Sequence, residues 1–151
     1  MWGVFAAAWA AASVAVAPVS ARTSATCPHP GTVNGVDVLI ACGSAKATIH
    51  FGSARLALKN GQCVKTNSNF GLNFGAAVAG VTSKPPPDSF QLIAGPHGGT
   101  ATLQIARNGK QYIGETMTLK LMANRKGGSI AGVVTWAAGT TKVPVSGSFS
   151  C

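Results

Sequence analysis

The chain carries 151 residues, with twelve Lys and Arg against three Asp and Glu, a formal net charge of +9 and 46% hydrophobic residues. That length suits one domain with a modest core. Its bases are scattered along the chain, densest at Arg125-Lys126, without the continuous basic surface and stacking aromatics that single-stranded phosphate polymers need, so the composition argues against nucleic acid.

Residues 1–21 read as a secretory leader. The apolar stretch 4–17 falls short of the roughly 20 residues of a membrane span. It runs through Pro18 into Val19-Ser20-Ala21, a small-x-small site for cleavage before Arg22. No Lys or Arg precedes the apolar stretch, where a leader ordinarily has them, and the competing expectation is an uncleaved anchor flanked by Arg22. With the leader removed, residues 22–34 form an N-terminal arm and residues 35–151 a single domain, with no integral membrane span. All twelve bases remain; Asp37, Asp88 and Glu115 are the only acids.

After the leader the pattern is that of strands. Ala45, Ala47, Ile49 and Phe51 alternate with Lys46, Thr48 and His50, the two-faced pattern of a half-buried strand. Leu56 and Leu58 share one parity, with Arg55 and Ala57 on the other. Further strands are predicted over 36–41, 70–78, 90–94, 101–107, 112–122, 130–136 and 142–149. About eight short strands at this spacing predict an all-β fold, an antiparallel β-sandwich or barrel, and of these we expect the sandwich.

Turn chemistry sharpens the pattern. Asn108-Gly109 between Ile105 and Tyr112 predicts a two-residue type I′ hairpin, because both central residues must take positive φ. Asn60-Gly61 repeats the dipeptide and predicts a second hairpin, between Leu58 and Cys63. Asn34-Gly35 reads as the turn that enters the first strand at Val36. Counting on from the Asn108-Gly109 turn puts Glu115 and Met117 on one face, which requires a bulge near Gly114. Lys84-Pro85-Pro86-Pro87-Asp88 predicts an extended polyproline connector. Phe70 and Phe74 share a core face, and Trp136 is expected as a core anchor.

The chemistry-bearing residues are few. Cys27, Cys42, Cys63 and Cys151 follow an export leader and predict two structural disulfides, for which three connectivities are open. There is no C-x-x-C, and their separations of 15, 21 and 88 residues fit no zinc pattern, so no metal site and no cofactor are expected. His50 falls on a polar strand face and His29 and His97 in loops, and the three compose no triad and no metal triplet. With three carboxylates and no hydrolase motif, no catalytic residues are predicted; an unrecognised secreted hydrolase is the weakest alternative.

The strand ending in Cys42, the runs Ile49-His50-Phe51-Gly52, Ala57-Leu58-Lys59-Asn60-Gly61 and Gly71-Leu72-Asn73-Phe74-Gly75, then Gly99-Thr100-Ala101, the Asn108-Gly109 hairpin with Tyr112, and a last strand ending in Cys151 together resemble the mycobacterial 19 kDa lipoprotein antigen family over residues 35–151. The resemblance implies a secreted, cell-envelope β-sandwich of a family for whose protein part no enzymatic activity is established. It also implies a disulfide from Cys42 to Cys151, leaving Cys27 for Cys63. The chain departs from that family at the lipid site: Cys27 is preceded by Thr26 and lies ten residues past the apolar stretch, so lipidation is not expected. The expectation is a secreted or cell-envelope, antigen-like monomer. The alternative is a cationic binding module for an anionic envelope polysaccharide, a lipid or a host receptor.

Overall fold

The computed structural model describes residues 27–78 and 83–151. The leader predicted over 1–21 and its cleavage point lie outside the described residues. The described chain forms strands β1 (His29–Val33), β2 (Val36–Ile40), β3 (Ala45–Phe51), β4 (Ala54–Lys65), β5 (Phe70–Val78), β6 (Ser89–Ala94), β7 (Gly98–Arg107), β8 (Lys110–Leu121), β9 (Gly127–Trp136) and β10 (Lys142–Ser150). Among the described residues no helix is long and apolar enough to cross a membrane.

From β3 to β10 each strand pairs antiparallel with the next, and β10 returns to pair with β3. The ladder therefore closes as an eight-stranded up-and-down barrel, with the β1–β2 hairpin attached outside it through β2 and β5. The all-β prediction holds; the two-sheet sandwich does not form. Alternation in a strand specifies one buried face, and a sandwich and a barrel ask for the same alternation. Closure rests on where strands bend. Register shifts between Ala45 and Ala47, Ala101 and Leu103, and Ile113 and Thr118 supply bends of that kind.

The barrel interior is filled by inward side chains. Ile49, Phe70, Leu72, Leu92, Leu103, Met117, Leu119 and Val134 are buried essentially completely. Phe70 meets Phe149 at 5.6 Å and Phe74 meets Phe90 at 6.1 Å, centroid to centroid. Both belong to the core, as the alternation of β5 predicts. The bulge expected near Gly114 is present: Met117 turns inward and Glu115 stays exposed.

Two turns form as predicted and one does not. Asn108 and Gly109 take φ of 50° and 73°, and Arg107 pairs with Lys110. Asn34 and Gly35 take 52° and 72° and join β2 to a preceding strand, β1, so the expected N-terminal arm is itself part of a hairpin. At Asn60, φ is 57°, but Gly61 lies outside the left-handed region, so the type I′ requirement is half met. Instead of a hairpin, β4 runs straight through with a bulge opposite Ala45. The hairpin before it turns at Gly52-Ser53, with Gly52 at φ 58°.

The disulfide connectivity implied by the resemblance is corrected as well. Cys27 bonds Cys42, and Cys63 bonds Cys151. The β1–β2 register pairs His29 with Ile40, and continuing it outward by two residues brings Cys27 opposite Cys42. Their Cα atoms lie 5.7 Å apart. Close by, at the same end of the molecule, β3 lies between β4 and β10, and its first residues pair with Gly61 and Ser150. Cys63 and Cys151 flank that point and bridge across the start of β3.

Candidate functional site

One seam of the barrel is incomplete. β4 and β5 pair only over Gln62–Asn73 to Lys65–Phe70. At Gly75, with φ at 76°, β5 turns away; a Cβ there would lie 2.3 Å from the Asp88 carbonyl oxygen, so the bend needs glycine. The Gly75 carbonyl accepts the Ala41 N–H at 2.9 Å, and from Ala76 onward β5 pairs with β2 in place of β4. Residues 54–58 of β4 are therefore paired with β3, Lys59 and Asn60 form the bulge, and the run 54–60 has no strand on its other side among the described residues.

A cleft with a volume of about 430 Å³ opens at this seam. Its apolar floor is built from Leu56 and Leu58 of β4, Phe74 of β5, Phe90 of β6 and Ile105 of β7. These side chains belong to the barrel core or pack against it. Arg55, Lys59 and Arg107 stand around the opening with one carboxylate, Asp88. The Asp88 Oδ1 accepts the Asn108 N–H at 2.9 Å and so ties β6 to the β7–β8 turn. The proline connector braces the same side: Lys84 Nζ donates to the Gly35 carbonyl at 2.9 Å, and Pro85 packs against Gly109. A volume in this range, an apolar floor and a few convergent polar groups are the usual makings of a ligand site. Three cations against one engaged carboxylate select an anionic group at the mouth.

The other candidates stand apart from it. His50 is exposed on β3, His97 is exposed between β6 and β7, and His29 opens β1. No histidine lines the cleft. Asp37 accepts the Thr32 hydroxyl at 3.3 Å on the outer hairpin. Among the described residues no three His, Cys, Asp or Glu side chains come together to hold a metal ion. Trp136 is not the core anchor expected: it is the last residue of β9, lies half-buried and stands outside the barrel's core cluster. Its ring lies against Gly139 and under Lys110, whose Nζ is 5.3 Å from the centroid. A second hollow, of about 530 Å³, lies at the stapled end among Cys42, Gln62, Cys63, Lys126 and Cys151, and has no comparable apolar floor.

Arg55, Lys59 and Arg107 drew no attention in the linear sequence, where they belong to a scattered charge. The available signal was local: a Leu56-x-Leu58 pair flanked on both sides by a base. What it lacked was Gly75, whose bend converts a sheet face into an opening. Compared with protein-family models, with curated proteins and with solved structures, the chain matches none.

Proposed function

We propose that this protein is an exported, non-enzymatic binding module whose site is the cleft beside β4, and that it takes an anionic ligand with an apolar portion. The observation that carries this is the junction of an apolar floor, Leu56, Leu58, Phe74, Phe90 and Ile105, with a rim of Arg55, Lys59 and Arg107. The two disulfides support an oxidising setting outside the cytoplasm. The resemblance to the mycobacterial 19 kDa lipoprotein antigen family supports a secreted or cell-envelope place.

The test is binding of anilinonaphthalene sulfonate, an apolar dye with one negative charge. The native protein should raise its fluorescence saturably, and Arg55→Glu with Arg107→Glu should weaken binding at least tenfold. A charge reversal of Lys142, a base that does not line the cleft, should leave binding within a factor of two. Equal binding by the native protein and the Arg55→Glu, Arg107→Glu variant would remove the cleft as the site.

A further inference from the structure

The cleft has a third component besides floor and rim: the bare edge of β4. In a two-residue hairpin the residues flanking the turn bond to each other, so Phe51 and Ala54 form a hydrogen-bonded pair. The parity is checked on the far side of β3, where the Gly52 N–H goes to the Pro144 carbonyl of β10 at 2.9 Å. It follows that Ala54, Leu56 and Leu58 bond to β3, while Arg55, Ala57 and Lys59 turn their N–H and C=O groups into the cleft. With no strand partner among the described residues, these groups are left to bond water. An acyl chain laid over them would strip that water and return nothing, at a penalty of the kind that buried unpaired groups carry. A strand would replace it bond for bond.

We infer that the ligand of this cleft is an extended acidic peptide that adds to β4 as a new edge strand. The inference rests on the cleft being the binding site. Side-chain period fixes the motif. Positions of the added strand on the face of Leu56 and Leu58 meet the apolar floor. Positions on the opposite face lie beside Arg55 and Lys59, both exposed, at cross-strand distances that reward opposite charge. The peptide thus alternates apolar and acidic residues over about five to seven positions, the length of the free run 54–60. A second copy of β4 is disfavoured as occupant, because edge-to-edge pairing would bring Arg55 and Lys59 against their own counterparts.

The probe is a blocked seven-residue peptide of alternating glutamate and valine, titrated calorimetrically against the whole chain. N-methylation of alternate residues in one phase removes the donors that face β4 and should weaken binding at least tenfold. In the other phase the methyl groups face away from β4, and affinity should stay within about threefold. The lysine–valine peptide should not bind. Hydrogen exchange at the Arg55, Ala57 and Lys59 amides should slow on binding. Ala57→Pro deletes an edge donor that β3 does not use, and should abolish peptide binding while the dye still binds. Equal effects of the two N-methyl phases, or no exchange protection on β4, would overturn strand addition. So would displacement of the dye by laurate but not by the peptide. In those cases dye binding sensitive to Arg107→Glu would leave the cleft assignment standing.

Discussion

Gly75 does more for the shape of the molecule than any charged residue near it. With φ at 76° it occupies a region that L side chains rarely adopt, and a Cβ would stand 2.3 Å from the Asp88 oxygen. Gly99 has a similar φ of 91° but open space around its Cβ position. The pair separates backbone strain from collision. Gly99→Ala should cost about 1–2 kcal/mol, the left-handed penalty alone. Gly75→Ala should cost that and more, about 3 kcal/mol, because Asp88 is backbone and cannot yield without moving β6. Urea unfolding midpoints at matched slopes would measure both. Equal losses would mean that the close approach at Gly75 relaxes freely. A smaller bend at Gly75 would also narrow the seam, so dye affinity should fall along with stability in this variant alone.

At the scale of elements, three Asn-Gly dipeptides show what local sequence can and cannot convey. All three asparagines take positive φ, at 52°, 57° and 50° for Asn34, Asn60 and Asn108. Local chemistry therefore reads the backbone of that residue correctly in every case. Whether the chain reverses depends on the glycine that follows, and that is decided by pairing partners far away. Gly61 has no room for a reversal: its Cα region is filled by the Phe74 ring, which a Cβ would meet at 2.3 Å. One long-range fact is nevertheless legible in the sequence. Cys27 and Cys42 are equidistant from the centre of Asn34-Gly35, so a hairpin there pairs them by register alone. The alternation that announced strands also picked out the core residues of β3 and β5, since each reports a local face. The free edge of β4 was invisible because it is a missing partner, a property of β5. The Cys27–Cys42 bond closes a short loop, worth about 3 kcal/mol on the chain-entropy model. The hairpin is held to the barrel by three β2–β5 pairs, a small satellite cluster of Val36, Val38 and Ala76, and hydrogen bonds from Ala41 to Gly75, from Gln62 to Cys27 and from Lys84 to Gly35. Cys27→Ser with Cys42→Ser should therefore loosen the hairpin alone. Amide exchange over 29–40 should quicken while that of β7 to β9 stays unchanged; quickening across the whole barrel would refute that independence.

For the whole molecule the distribution of restraint is uneven along the barrel axis. One end is closed by Cys63–Cys151, which joins β4 to β10 across the short strand β3, and the other end opens at the seam where β4, among the described residues, has a strand on the β3 side alone. A closed barrel has no free edge from which to unravel except at such a seam. With the staple in place, separation of β4 from β5 cannot spread into β3 and β10, because the bridge fixes both sides of β3. With the staple removed, the seam and the β3 ladder can open together, and the core loses the strand that carries Ile49. The bond spans 88 residues, for which the chain-entropy model gives about 4.6 kcal/mol, against a typical domain stability of about 5–15 kcal/mol. Cys63→Ala with Cys151→Ala should accordingly lower global stability by several kcal/mol, well beyond the effect of removing Cys27–Cys42. It should do so as a single cooperative transition seen alike by far-ultraviolet circular dichroism and by tryptophan fluorescence. If instead the Cys27–Cys42 pair carried the larger global loss, the hairpin would be integral to the barrel, and the seam beside β4 could not open or close independently of it.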